Sequence, residues 1–188
     1  MGEVQIVDDQ KFNRAVEIVL RHEGRYVVDN GGPTNFGVSL RYAMTVGDLD
    51  KDGQLDMDFD HDGDVDAEDI KKMTREDAKR VYRTQWWDRY GYGAFPDTVA
   101  FKLLDLSVNM GPPQAHKLLQ RAINNCDGQK ITVDGEIGER TVAAAQACPD
   151  ETLLAEFRRA AVEFYLTIIA KKPSCLKYKK GWMRRGFA

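Results

Sequence analysis

Glu23, Asp29 and Thr34 fall within one short stretch, HEGRYVVDNGGPTNFGVS (22–39), whose residue types suit acid–base work on a sugar. The residues before it carry apolar side chains at helical spacing (Phe12, Val16, Val19, Leu20), and Gly24 suits the position just past a helix end. Glu23 therefore stands at a helix C-terminus, where the dipole and the last free carbonyls disfavour a negative charge. Tyr26 and Phe36 can desolvate it as well, and both effects raise a carboxyl pKa. A carboxyl still protonated near neutral pH can donate its proton to a leaving glycosidic oxygen. Asp29, in a polar turn, should stay ionised, and Thr34 supplies a hydroxyl nearby. On residue types alone this is a weak signal, because a helix-end glutamate is more often simply solvated.

A second stretch, DLDKDGQLDMDFDHDGDVDAED (48–69), has ten aspartates and one lysine. Calcium loops present oxygen ligands at positions 1, 3, 5, 7, 9 and 12, with glycine at 6 for the sharp turn. Counting from Asp58 puts Asp60, Asp62, Gly63, Asp64, Asp66 and Asp69 at positions 3, 5, 6, 7, 9 and 12, with Asp64 offering its backbone carbonyl. Every position is filled, and Asp69 at the last one resembles the dockerin-type variant of the EF-hand loop. Counting from Asp48 fills fewer positions: Asp50, Asp52, Gly53, Leu55 and Asp56 fit, but Phe59 falls at position 12 and cannot ligate. The expectation is Ca²⁺ on Asp58, Asp60, Asp62, Asp64, Asp66 and Asp69, with a weaker, truncated site on Asp48, Asp50, Asp52 and Asp56. His61, at a position that does not ligate, is expected to be exposed.

The acidic stretch also changes how net charge reads. Residues 48–69 sum to −10 within a chain of −3, so the remainder is +7. A basic remainder suits anionic partners such as nucleic acid, anionic lipid or cell wall, or else is scattered solvated lysine and arginine. The apolar share of 43% and charged share of 30% are those of an ordinary globular chain and exclude global disorder. No apolar run is long enough to span a bilayer, and the first residues, MGEVQIVDDQKFNR, show no secretory signal. Cys126, Cys148 and Cys175 are odd in number, widely spaced and without a CxxC pair, so three thiols, with one bridge as the alternative, are expected in place of zinc or a disulfide framework.

Helical signals position these residues. Asp8 or Asp9 can cap the first helix, and Ser39 a short one through Met44. Thr-Arg-Glu-Asp (74–77) reads as a capping box opening a helix with Ala78, Val81, Tyr82 and Trp86 on one face. Residues 98–111 are apolar almost all round and suit a central buried helix. Pro112 and Pro113 open another, a short one starts near Glu139, and Asp150 caps a long one that Pro173 ends. Strand signals are few, with turns and a short hairpin after Gly24.

The order of motifs resembles glycoside hydrolase family 108, N-acetylmuramidases of phages and bacteria related to phage-type lysozymes. The matching residues are Glu23, Gly24, Tyr26, Asp29, Gly31, Gly32, Thr34, Gly37 and Val38, then YRTQWWD (82–88) and LLDLSVNMGPPQA (103–115). The stretches LLQRAINN, ITVDGEIGERTVAA, FYLTIIAKKP and KGWMRR look like the family's peptidoglycan-binding half. The resemblance implies a mainly α, lysozyme-like helical fold with a short hairpin and the EF-hand-like loop inserted. It also implies a catalytic lobe over 1–112 and a helical peptidoglycan-binding half over 113–188 on the same core.

The implied reaction is cleavage of the β-1,4 bond between N-acetylmuramic acid and N-acetylglucosamine. Glu23 would be the general acid, with Asp29 and Thr34 holding or activating a water. Arg25, where the family often has glycine, and a shorter connection from Glu23 to Asp29 depart from its pattern. Tyr26, Tyr82, Trp86, Asn109 and Gly111 are the expected substrate contacts, by aromatic stacking and by pairing with an N-acetyl group. Peptidoglycan glycan strands are the expected partner, with no nucleic acid, no membrane span and a monomeric chain. The chain would be made in the cytoplasm of a host and act in the periplasm or cell wall, with calcium bracing the helix that carries Tyr82 and Trp86. The competing reading is a non-catalytic, calcium-dependent wall-binding module, which would not need Glu23.

Overall fold

The computed structural model describes residues 2–29, 31–49, 51–126 and 130–188. Among them the chain is mainly α, with a three-stranded antiparallel sheet, as expected for a lysozyme-like helical fold. Helix α1 (Gly2–His22) begins ahead of Asp8 and Asp9, so neither caps it. Asp8 is used sideways instead. It accepts from Trp87 Nε1 at 3.0 Å and from Arg83 Nη2 at 2.6 Å. Arg83 also pairs with Asp9 at 3.0 Å and Asp88 at 2.8 Å, so three carboxylates hold one guanidinium.

The chain divides into two compact units: Leu20–Tyr82, and the residues up to Val19 together with Arg83–Ala188. The expected lobes met at 112/113; these units do not follow that boundary.

Within Leu20–Tyr82, strands β1 (Val27–Asp29), β2 (Gly32–Asn35) and β3 (Val38–Ser39) pair in order, with Val27 opposite Thr34, Asp29 opposite Gly32 and Asn35 opposite Val38. The single hairpin expected thus has a third strand. Ser39 caps α2 (Leu40–Ala43) by accepting from the Tyr42 N–H at 3.2 Å. The acidic stretch runs into a helix absent from the expectations, α3 (Ala67–Lys72), which opens with a capping box between Asp66 and Asp69. The box expected at 74–77 is present: the Thr74 N–H donates to Asp77 Oδ2 at 2.9 Å, and the Asp77 N–H to Thr74 Oγ1 at 3.2 Å. It opens α4 (Arg75–Tyr82). Val38, Ala43, Met57, Ile70, Met73, Ala78, Val81 and Tyr82 are buried.

In the other unit Arg83–Asp88 is π-helical and Tyr92–Ala94 a 3-10 turn. Helix α5 (Asp97–Met110) covers the apolar run, and α6 (Pro112–Asn125) and α7 (Glu139–Ala147) start where the proline and glutamate signals placed them. Helix α8 (Asp150–Lys171) begins at Asp150 with Pro149 as its N-cap, so Asp150 does not cap it. A 3-10 segment (Pro173–Tyr178) and α9 (Lys179–Phe187) follow; neither was expected, because their apolar residues keep no helical period. Helix α5 is enclosed on all sides: Val99, Ala100, Leu103, Leu104 and Leu106 are buried, and so are Lys102, Asp105 and Ser107. Each enclosed polar group has a partner, as burial requires. Lys102 Nζ donates to the Arg185 and Gly186 carbonyls of α9, and burial draws it down to about 8. Asp105 faces Arg185 at 3.5 Å.

Ser107 belongs to a chain of hydrogen bonds whose directions follow from one fixed acceptor. His116 Nδ1 lies 2.8 Å from the Gly135 carbonyl, so Nδ1 carries the proton. Nε2 then accepts from the Tyr92 hydroxyl at 2.7 Å, and Ser107 Oγ donates to Tyr92 at 2.8 Å. All three cysteines are free thiols, and burial pushes the Cys126 thiol up to about 12, with Cys148 beside it adding to the shift.

Candidate active site and acidic loop

Glu23 follows the last residue of α1 and is half-buried. Its seat is Gly37, at the turn from β2 to β3. A Cβ on Gly37 would stand 2.6 Å from Glu23 Cγ, 2.9 Å from its Cδ and 2.5 Å from Tyr82 Oη. The backbone there has φ +83°, a conformation glycine adopts without strain. Glycine at this point lets the acid and the tyrosine hydroxyl close on the same spot. Tyr82 in turn donates to the Phe36 carbonyl at 2.6 Å, which ties α4 to that turn.

Tyr82 was expected to touch substrate. It has 0% exposure, so its role in this structure is to position the turn and Glu23. The capping box that starts α4 and the 3.6-residue period set which face carries Tyr82; only the fold shows that this face points inward.

Asp29 and Thr34 sit on adjacent strands. Asp29 shares a strand face with Val27, and Val27 pairs with Thr34, so Asp29 and Thr34 lie on one face of the hairpin. Asp29 is exposed and its Oδ1 accepts from the Gly31 N–H at 2.7 Å, which orients the carboxylate within the turn. Tyr26, just ahead of β1, is exposed, as a residue available to a ligand must be.

Asn35, next to Thr34, lies on the opposite face and is buried. Its Nδ2 donates to the Ile70 carbonyl at 2.9 Å and the Met73 carbonyl at 3.2 Å, capping the end of α3. The expectations omitted Asn35. Its signal was an amide inside an otherwise apolar and glycine turn, where burial demands partners.

Within the acidic loop the carboxylates accept from the loop's own N–H groups. Asp58 accepts from the His61, Asp62 and Gly63 N–H groups at 2.6, 3.2 and 2.9 Å. Asp69 closes the loop by accepting from Phe59 at 2.7 Å, Asp60 at 3.2 Å and Asp66 at 2.8 Å. Carboxylate oxygens of Asp58, Asp60 and Asp69 gather within 4.8 Å of one another, and so do those of Asp64, Asp66 and Asp69. Asp62 accepts from the Asp64 N–H at 3.2 Å. Crowding by Asp62 and the other aspartates raises the Asp64 pKa, whereas a hydrogen bond from Lys72 at 2.8 Å lowers that of Asp60. His61 is exposed, as expected.

The upstream stretch repeats this backbone. Lys51 and His61 have φ +63° and +62°, and Gly53 and Gly63 have +91° and +100°. The Gly53 N–H reaches Asp48 at 3.0 Å as Gly63 reaches Asp58, and the Gln54 N–H reaches Asp52 at 2.8 Å. Asp56 accepts from the Leu49 N–H at 2.8 Å, the bond that Asp69 makes with Phe59 downstream. Asp50 lies outside the described residues.

A hard cation suits this donor set, which is all oxygen. Asp60 Oδ1 and Asp48 Oδ1 are buried without a hydrogen-bond donor, and the Asp60 side chain is only 10% exposed. Buried carboxylate oxygens without donors are costly unless a cation meets them.

Trp86, Asn109 and Gly111 belong to the other unit. Trp86 was expected to stack on sugar; at 8% exposure it is a packing residue in this structure. Asn109 is exposed at the end of α5, and its Oδ1 accepts from the Tyr165 hydroxyl at 2.9 Å. Gly111, with φ +84°, joins α5 to α6 through a backbone that only glycine adopts readily.

A helix-end glutamate seated against a short hairpin in a mainly α chain is the arrangement of a lysozyme-like glycoside hydrolase. Residues 16–111 match the family model described as Glycosyl hydrolase 108, and this chain belongs to that family. Residues 114–186 match a second model, described as a predicted peptidoglycan domain. Together the two matches support peptidoglycan as the polymer this glycoside hydrolase acts on. Among solved structures the fold is similar to that of SagA from Brucella abortus, with TM-score 0.70 and 24% identity over 95% of this chain and 90% of that one. No curated protein sequence matches the chain.

Proposed function

We propose that the chain cleaves the β-1,4 bond between N-acetylmuramic acid and N-acetylglucosamine in peptidoglycan, with Glu23 as general acid. The observation that carries this is the seat of Glu23: a carboxyl at a helix end, held against Gly37 beside the Tyr82 hydroxyl, in a family 108 chain. Glu23 protonates the leaving oxygen, and Asp29 and Thr34, on one face of the hairpin, hold or activate a water. Tyr26, Asn109 and Gly111 contact the glycan. The chain works in the periplasm or cell wall, where this polymer lies.

Replacing Glu23 by Gln keeps the shape and removes the proton. Lysis of permeabilised cells should fall by roughly 10²–10⁴-fold, the usual weight of a general acid, with an unchanged circular dichroism spectrum. Lysis at the wild-type rate would overturn the assignment and favour a non-catalytic wall-binding module.

The loop 58–69 binds Ca²⁺ through Asp58, Asp60, Asp62, the Asp64 carbonyl, Asp66 and Asp69, and the stretch from Asp48 to Asp56 takes a second ion more weakly. The ion's work is to hold α3 in place. Proton transfer stays with Glu23.

A further inference from the structure

We propose that the 3-10 segment and α9, residues 171–184, form an accessory binding surface for the carboxylate-bearing stem peptides of peptidoglycan. The inference rests on the peptidoglycan reading above and assigns a surface to it.

From Phe164 to Ala188 the sequence has no aspartate or glutamate. Lys171, Lys172, Lys177, Lys179, Lys180 and Arg184 are all exposed, and none takes part in an ion pair among the described residues. Other exposed cations, among them Arg25, Arg41, Arg121 and Arg140, stand singly in the sequence, and several basic residues are committed to partners. Arg83 is held by three aspartates, Arg159 by Glu156 and Glu163, Arg185 by Asp105, and Arg158 donates to the Ala188 carbonyl. Six exposed cations within fourteen residues, with no acidic residue from Phe164 onward, make this short segment a dense run of positive charge in a chain of net charge −3.

An aromatic stack holds that segment in shape. Tyr165, buried on α8, stacks on Trp182 at 5.2 Å and 18°, and Trp182 meets Tyr178 at 5.5 Å and 31°. Tyr178 is 49% exposed, with Lys177 Nζ at 4.9 Å from its ring centroid. Three rings fix the backbone between the lysines, so only their side chains need ordering when a ligand arrives. The inner end of the stack is bonded to Asn109 through the Tyr165 hydroxyl. A rigid, basic and partly aromatic surface complements a polymer that carries carboxylates at intervals.

The test is co-sedimentation in the cold, with Glu23→Gln as the parent so that hydrolysis does not release the protein. The second protein adds Lys177→Gln, Lys179→Gln and Lys180→Gln. The triple change should weaken binding to purified sacculi by roughly five- to tenfold, as expected for a few exposed ion pairs, and more salt should narrow the gap. Sacculi whose carboxyls have been amidated should bind the parent as weakly as native sacculi bind the variant. Tyr178→Ala should lower binding without changing the circular dichroism spectrum. Equal binding by parent and triple variant, indifference to amidation, or tighter binding to phosphatidylglycerol vesicles than to sacculi would each overturn the proposal. Because binding and lysis are read separately, active Glu23→Gln with charge-dependent binding would sink only the catalytic reading. Silent Glu23→Gln with charge-independent binding would sink only this one.

Discussion

Glu23 acquires its setting from two residues distant in sequence, Gly37 and Tyr82. The tyrosine hydroxyl is spent on the Phe36 carbonyl and crowds the same point as the Glu23 carboxyl. Tyr82→Phe keeps the ring in place and removes the hydroxyl that makes that bond. It should cost about 1 kcal/mol of stability, the net worth of one such bond. Lysis should fall with it, because the turn that seats Glu23 loses its tether. A kcat decrease at unchanged KM identifies Tyr82 as a positioning residue, whereas a rise in KM alone would return it to substrate contact.

At the scale of elements, Asn35 joins the hairpin to α3, and α3 is the helix that leaves the acidic loop. Asn35→Ala leaves two carbonyls at the end of α3 without their donor in a buried place. The expected cost is about 1–3 kcal/mol in a denaturant titration. The calcium dependence of lysis should also fade, since the path from loop to hairpin is cut; a variant that keeps it would show another route.

A second link between elements predicts a pH dependence. His116 joins α6 to Tyr92 and Gly135, and burial holds its pKa below the ordinary 6.5. The folded state therefore keeps the imidazole neutral while the unfolded chain takes up a proton. The contribution is full above 6.5 and is lost as pH falls from there through the depressed folded value. Melting temperature should drop on the acid side of 6.5, and the slope should be shallower in His116→Gln.

At the scale of the whole molecule, the proposed calcium site predicts a change in stability. An ion that binds the folded loop and not the unfolded chain stabilises by mass action, about 2.7 kcal/mol at a hundredfold excess over Kd. Calcium should raise the melting temperature, and EGTA should reverse the rise. Asp58→Ala should remove the effect. No shift with either reagent would count against the site. No described helix is long and apolar enough to cross a membrane.

Local rules that act over a few residues were readable from the chain alone. They include the Thr74–Asp77 box, the proline start of α6 and the Ser39 cap, because each depends on neighbours and backbone geometry. The helix-end glutamate and its candidate partners Asp29 and Thr34 were legible for the same reason. Asp8 was misjudged as a cap because a helix can start earlier when its middle carboxylates find a distant arginine and tryptophan. Tyr82 and Trp86 were misjudged as sugar contacts because helical period shows that residues share a face, and packing decides whether that face meets water or protein. The amino-acid sequence by itself determined the helical class, the acid at the end of α1 and a loop of oxygen donors. Only the tertiary structure decided that Gly37 and Tyr82 seat that acid and that Asn35 ties the loop's helix to the hairpin. Those contacts pair residues far apart in the chain, whose meeting depends on how the elements close on one another.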